Sequence, residues 1–507
     1  MNKESRTAKS IKNSSVALAM YFVNFVLQFF SRKIFLDYLG TEVLGLNTTA
    51  TNLLQFLNLA ELGIGMAVGF SLYKPFYDND TQTINEIVAL QRQLYRRIAY
   101  VVIAGAGVLM CFFPWIFAKM ALPLWYAYAS FGVLLFSALL SYFVNYKQIL
   151  LSADQKEYKI QYSYGVTMLV KVLTQIFAVK YLDDKYVWWL ILEVFFAVIA
   201  SYVLSRTVNR TFPFISSSEL SLKELGEKYP IILTKIKQVF IHKIGYFVLT
   251  QTSPIIIYTF SSLTVVALYG NYMLITLGLT RLVEALSKGQ TASVGNLIAE
   301  GNDEKIMSVF EELFSLRFCI SIVICYGMLL LTQPFITLWI GETYLLPTST
   351  LVIITSILYI NLSRQAVDIY ISASGFYSDV YAPLIEAVLN ISLSISLGYF
   401  FGLNGILLGV LISLIIVIFG WKPIFLFCIN LKHGYVQYVK SYSKHLFLTS
   451  CIVFISYKLQ VILPIAPADS WGDFLLYGCI NITVFIALLL SVSYLFGCGI
   501  RKTFKRI

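Results

Sequence analysis

Apolar stretches of about 20 residues recur from one end of this 507-residue sequence to the other. Each is long enough to cross the hydrocarbon core of a bilayer as an α-helix. That recurrence excludes a soluble globular fold and predicts an all-α integral membrane protein. Composition agrees: 58% of residues are hydrophobic and 13% charged, with a mean hydropathy of +0.75. Soluble domains carry about 25% charged residues. The longest polar stretch, 206–229, is too short for a separate soluble domain.

The apolar pattern predicts fourteen spans, near 14–38, 44–73, 96–118, 121–151, 160–181, 186–205, 231–260, 264–296, 312–337, 346–374, 380–400, 403–430, 445–464 and 472–497. The basic N-terminus resembles the start of a signal peptide, but its apolar run is too long for one, so an uncleaved first span is expected. Placing both termini in the cytoplasm puts 27 of the 38 Lys and Arg on the cytoplasmic side, in turns or toward span ends, and leaves only Lys119, Lys180 and Lys185 on the outer side. One missed span would swap the side of every later loop and destroy this asymmetry. The remaining eight cations, Arg32, Lys33, Lys171, Lys243, Arg281, Lys288, Arg364 and Lys458, fall within spans. At a helix centre such a charge costs about 2.5–3.5 kcal/mol on insertion scales.

The net charge of +11 is dispersed over many loops and forms no single basic patch, so nucleic acid is not an expected partner. The seven cysteines lie in apolar segments without CxxC spacing, and the three histidines are scattered. Neither a disulfide framework nor a metal site is expected.

The chain resembles itself at an offset of about 223 residues. "DNDTQTINEIVALQRQLYRRIAYVV" (78–102) matches "GNDEKIMSVFEELFSLRFCISIV" (301–323), and Glu61 falls on Glu284. In both copies Asn-Asp precedes a helix, where either residue suits an N-cap. The offset spans an even number of helices, which makes this a parallel repeat of the kind found in transporters. Spans 1–6 over residues 1–206 form an N-lobe and spans 7–12 over 231–431 a C-lobe. A cytoplasmic linker, 207–230, joins them, and 432–507 carries spans 13 and 14 with a cytoplasmic tail.

"SRKIFLDYLGTEVLGLN" (31–47), "LAELGIGMAVGFSLYKP" (59–75), the following Asn-Asp and "YRRI" (95–98) resemble the bacterial oligosaccharide flippases, or polysaccharide transporters (Wzx-like). These belong to the multidrug/oligosaccharidyl-lipid/polysaccharide exporter superfamily. The resemblance is carried by about the first 100 residues and, beyond them, by span count and repeat. It implies two six-helix lobes around a central cavity. It also implies a function: moving undecaprenyl-diphosphate-linked oligosaccharide from the inner to the outer leaflet of the bacterial plasma membrane by alternating access, for surface polysaccharide assembly. A lipid-linked oligosaccharide, membrane lipids and, in the pathway, a polysaccharide polymerase and glycosyltransferases are the implied partners, with the chain itself a monomer.

A diphosphate cargo calls for cations. Arginine suits it by its bidentate fork. The candidate binding residues are Arg281, Arg364, Lys288, Lys171, Arg32 and Lys33. Arg281, Glu284 and Lys288 share one helical face, and Arg364 and Asp368 stand one turn apart. Glu284 and Asp368 are candidates for charge pairing or coupling. Glu61 lies near the middle of span 2, and two readings stay open: pairing with Arg32 or Lys33, or proton uptake during transport. Gly65 and Gly69 have the spacing that lets a neighbouring helix approach closely. No nucleotide motif is present, so the energy is expected from an H⁺ or Na⁺ gradient, the membrane potential or consumption of the cargo outside, and no cofactor is expected. A cation-coupled multidrug antiporter of the same superfamily is the alternative. An enzyme is not expected: Asp78-Asn79-Asp80 fits the DxD pattern of glycosyltransferases, but its repeat partner lacks the first Asp and helix capping accounts for both copies.

Overall fold

The computed structural model of the chain describes residues 6–61, 63–216, 220–237, 240, 252–287, 294–295, 297–298, 300–374, 379, 381–431, 434–460 and 465–496. Among them the regular structure is helical throughout, with no strand. Ten helices among the described residues are long and apolar enough to cross a membrane, and the protein is a multi-pass membrane protein. Residues 238–239 and 241–251 of expected span 7 lie outside the described residues, Lys243 among them, and so does Lys288.

The chain divides into two compact units, Met1–Ala267 and Leu268–Ile507. In the first, α1 (Arg6–Leu57) holds two helical arms joined at Gly40, whose φ of 85° is a left-handed conformation that favours glycine. This turn lies in the expected gap between spans 1 and 2. Span 2 is not the continuous helix the sequence predicts. Its first arm ends in a 3₁₀ turn, Asn58–Glu61, and the chain restarts as α2 (Ile64–Asp78). Gly63 at the restart has φ 106°, so the break has a local cause that hydropathy does not register.

The unit continues with α3 (Thr81–Cys111), α4 (Phe113–Ile116), α5 (Trp125–Phe143), α6 (Ile149–Ala153), α7 (Glu157–Tyr181) and α8 (Lys185–Thr211). α7 packs along both α8 and α1. The core at one end of the unit joins α2, α3, α5 and α6 through Val68, Leu72, Leu90, Ala99, Tyr142 and Leu150. The linker does not hang free. Its described part forms α9 (Leu222–Lys228), opened by a Ser221–Glu224 capping box, and it is strapped against α3. Leu225 is fully buried, Tyr229 donates to Glu86 at 2.5 Å, Lys228 pairs with Glu86 at 2.6 Å, and Gln93 donates to the Leu220 carbonyl at 2.9 Å. The unit closes with α10 (Ser253–Phe260) and the start of α11 (Leu263–Ser287).

The second unit contains α12 (Asp303–Ile340), α13 (Thr348–Ser363), α14 (Gln365–Ala373), α15 (Tyr381–Leu414), α16 (Tyr435–Gln460) and α17 (Trp471–Leu495). Gly402, with φ 55°, breaks α15 in the expected gap between spans 11 and 12. Beyond α15 the helix runs on in the wide π form over Ile415–Trp421 and again over Ile424–Asn430. Pro423 between them has no N–H to donate, a recognised cause of such a defect. The core is aromatic: Phe310, Phe314, Phe318, Tyr370, Phe427 and Tyr438.

The expected caps form, one residue out of step between the repeats. Asp80 accepts from the Thr83 N–H at 3.0 Å, and Asn302 accepts from the Lys305 N–H at 3.0 Å.

Candidate functional site

The break in span 2 sets the polar centre of the first unit. A helix interrupted inside a bundle frees backbone donors and acceptors, which must find partners in protein. Polar side chains gather there. Asn58 Oδ1 accepts from the Tyr142 hydroxyl at 2.9 Å, and Glu61 Oε1 accepts from the Tyr95 hydroxyl at 3.0 Å. The two tyrosine rings meet edge to face at 5.7 Å. Glu61 is half-buried and forms no ion pair among the described residues. It therefore does not pair with Arg32 or Lys33: its partner is a phenol from the third span, which sequence distance gave no means of choosing. Arg32 instead donates to the Ala267 carbonyl at 3.2 Å, and Lys33 is exposed.

The glycines of α2 are met by side chains and not by a neighbouring backbone. A methyl built on Gly65 would stand 3.6 Å from the Tyr95 hydroxyl oxygen, and one on Gly69 would stand 3.2 Å from Ile149 Cδ1. The tight backbone approach of this unit lies at Gly45, where an added methyl would come within 1.9 Å of the Leu263 carbonyl oxygen.

Lys171 has a dedicated partner. Glu193, from α8, accepts from Lys171 at 2.7 Å and from Gln175 at 3.0 Å. Sequence reasoning passed over Glu193, although it is the lone carboxylate of its apolar span and Lys171 and Gln175 stand one turn apart. Further polar bonds cross the unit. Asn47 accepts from Ser130 at 2.5 Å and from Tyr186 at 3.2 Å, and Asn145 donates to Ser201 at 2.8 Å and to Tyr164 at 2.9 Å.

In the second unit Arg364 and Asp368 meet at 3.0 Å, as their one-turn spacing predicts. Lys422, within expected span 12 yet counted among the cytoplasmic-side cations, reaches the other oxygen of Asp368 at 2.5 Å. It sits between the two π segments. Two cations thus share one carboxylate, and all three side chains stay 20–28% exposed. Glu386 of α15 lies within electrostatic reach of all three, itself only 3% exposed and with one oxygen lacking a partner. Arg317, near the start of expected span 9, is 2% exposed and donates to Gln365 at 3.1 Å, so it too lies inside the unit. Arg281 and Glu284 are exposed on α11.

The arrangement provides a carboxylate held by a phenol at a helix break in one unit and a part-exposed Arg364–Asp368–Lys422 cluster in the other. Outside the spans, burial and the bond to Glu86 push the Tyr229 phenol up to about 12.

Solved structures share this fold. A structure described as the lipid II flippase MurJ in an inward closed conformation superposes with a TM-score of 0.63, covering 94% of this chain and 98% of its own at 13% identity. A multidrug resistance MATE family transporter of the MOP superfamily matches in its inward-facing form with a TM-score of 0.58, over 81% of this chain and 97% of its own at 16% identity. The outward-facing form of such a transporter matches with a TM-score of 0.52, over 82% and 94% at 14% identity. No protein-family profile matches the sequence, and no curated protein sequence does. The chain has the all-α membrane fold of these transporters.

Proposed function

We propose that this protein is a flippase for undecaprenyl-diphosphate-linked oligosaccharides, acting by alternating access to feed surface polysaccharide assembly. One observation carries the reading. Arg364 and Lys422 converge on the single carboxylate of Asp368, so this part-exposed trio carries one net positive charge while Glu386 is sealed from solvent. A diphosphate is the cargo that rewards such a site, because Arg offers a bidentate fork and Lys a point charge beside it. The fold shared with the lipid II flippase structure over nearly the full length of both chains supports a lipid-linked cargo.

A multidrug antiporter is the second reading. Glu61 favours it, as a carboxylate at a break in the middle of a span with a phenol as partner, and the MATE structures share the fold. In either reading an H⁺ or Na⁺ gradient supplies the energy, with Glu61 the proposed coupling group.

Reconstitution into liposomes separates the two. A fluorescent undecaprenyl-diphosphate oligosaccharide in the inner leaflet should become accessible to an external quencher with wild-type protein. Arg364→Ala with Lys422→Ala should lose that flux, and cationic dye efflux should be absent. Dye efflux without movement of the lipid-linked sugar would overturn the flippase reading.

A further inference from the structure

One exposed stripe of α8 changes character along its length. Ile191, Phe195, Val198 and Tyr202 are 46–61% exposed, and Arg206, Asn209 and Arg210 continue the same line. The spacings of three and four keep all seven on one helical face. From Ile191 to Arg206 the stripe rises about 22 Å at 1.5 Å per residue. The apolar part therefore runs beside acyl chains, Tyr202 falls at headgroup level, and the arginines lie just beyond.

The polar end is shaped. Tyr202, Ser205, Arg206, Asn209 and Arg210 line an open depression of about 410 Å³. Arg206 donates to the Tyr202 hydroxyl at 3.0 Å, which holds its guanidinium over the depression. Neither arginine is ion-paired among the described residues. The adjacent end of α7 adds Lys159, bonded to Thr211 at 2.9 Å, and Lys156 over the Phe212 ring. On the approach to α7, Lys156 occupies the carboxylate of Asp154 at 2.5 Å, and Glu157 is exposed.

We propose that this face of α8 binds the phosphate headgroup of an anionic phospholipid, with an acyl chain lying along Val198, Phe195 and Ile191. Two guanidinium groups, a hydroxyl and an amide converge on one hollow, and a phosphate diester presents the matching acceptors. The site is independent of the transported cargo. A basic residue near an anionic bilayer surface contributes about a fivefold gain in affinity, so the two arginines together contribute roughly thirtyfold.

The test uses the full-length protein in neutral detergent, with lipid adducts counted by native mass spectrometry. Phosphatidylglycerol should be retained in preference to phosphatidylcholine of the same chains, and Arg206→Gln with Arg210→Gln should weaken it roughly thirtyfold. Arg206→Lys with Arg210→Lys, which keeps the charge, should recover most of the binding. Raising salt to about 0.5 M should weaken retention by wild type, since exposed charges are screened, and this measurement stands whether or not the variants fold. Free glycerol phosphate should not displace the lipid, because it lacks the acyl contact. Equal retention of phosphatidylcholine, undiminished binding by the Gln variant, or displacement by glycerol phosphate would each overturn the assignment.

Discussion

Removing Glu86 tests whether the linker is part of the first unit or only passes it. The Glu86 carboxylate, 6% exposed, receives Tyr229 at 2.5 Å, Lys228 at 2.6 Å and Gln82 at 3.2 Å. The Gln82 bond lies within α3 and does not hold the strap. A hydrogen bond to an ionised, buried acceptor is worth about 1.5–3 kcal/mol. Lys228 is half exposed, which reduces its pair to about 0.5–1 kcal/mol. Glu86→Ala should therefore cost the docked strap about 3 kcal/mol, close to a 100-fold rise in its open population. Buried Leu225 and the Gln93 bond to Leu220 remain and keep docking the majority state. Hydrogen–deuterium exchange should show amides 222–229 exchanging roughly 100-fold faster, with α7 unchanged. Glu86→Gln keeps an acceptor for Tyr229 but no charge, and should give an intermediate effect. Unchanged exchange in folded Glu86→Ala protein would refute the strap.

Other outcomes follow from the same geometry. Glu61→Gln preserves an acceptor for Tyr95, so the variant should fold and insert yet lose gradient-dependent transport in liposomes; intact transport across pH would leave Glu61 a packing residue. Asp368→Asn leaves Arg364 and Lys422 without their shared anion and should lower stability by about 2–3 kcal/mol, less than a fully buried pair would because the groups are part exposed. Adding Lys422→Met should return part of that loss in a double-mutant cycle followed by thermal unfolding. Gly45→Ala, pressed against the Leu263 carbonyl, should cost about 1–3 kcal/mol by the same assay. Bonds from the Thr83 hydroxyl and N–H hold the Asp80 carboxyl below its ordinary range. Its cap is therefore complete at neutral pH and lost as pH falls through that lowered value, so exchange in the first turn of α3 should rise only in acid.

The sequence reveals the elements because their signals are local. The turns at Gly40 and Gly402 fall in the gaps that hydropathy predicts, and Asn-Asp marks the starts of α3 and α12. Arg364 and Asp368 are readable because they share a helix. What escapes is whatever joins distant segments. Glu61 finds Tyr95, Lys171 finds Glu193, Asp368 finds Lys422, and Glu86 finds Tyr229 across 143 positions. A single sequence carries hydropathy and spacing but no record of which helix neighbours which, so buried charges can be counted from it without being matched. The break at Gly63 escapes for another reason: Asn58 and Glu61 sit inside a stretch whose average hydropathy still suits a span, and glycine is common in membrane helices without breaking them.

The π segments on either side of Lys422 give the second unit a reserve of register. Each wide turn stores residues that an α-helix would not need over the same rise. If the Ile415–Trp421 turn tightens to the α form, its i→i−5 bonds are exchanged for i→i−4 bonds and everything beyond it rotates by about 100°, one residue's worth of helical twist. Lys422 would swing away from Asp368, and the carboxylate would be left to Arg364 alone. The helix can thus act as a screw thread with slack at one point, converting a small axial slip into the release of a charge.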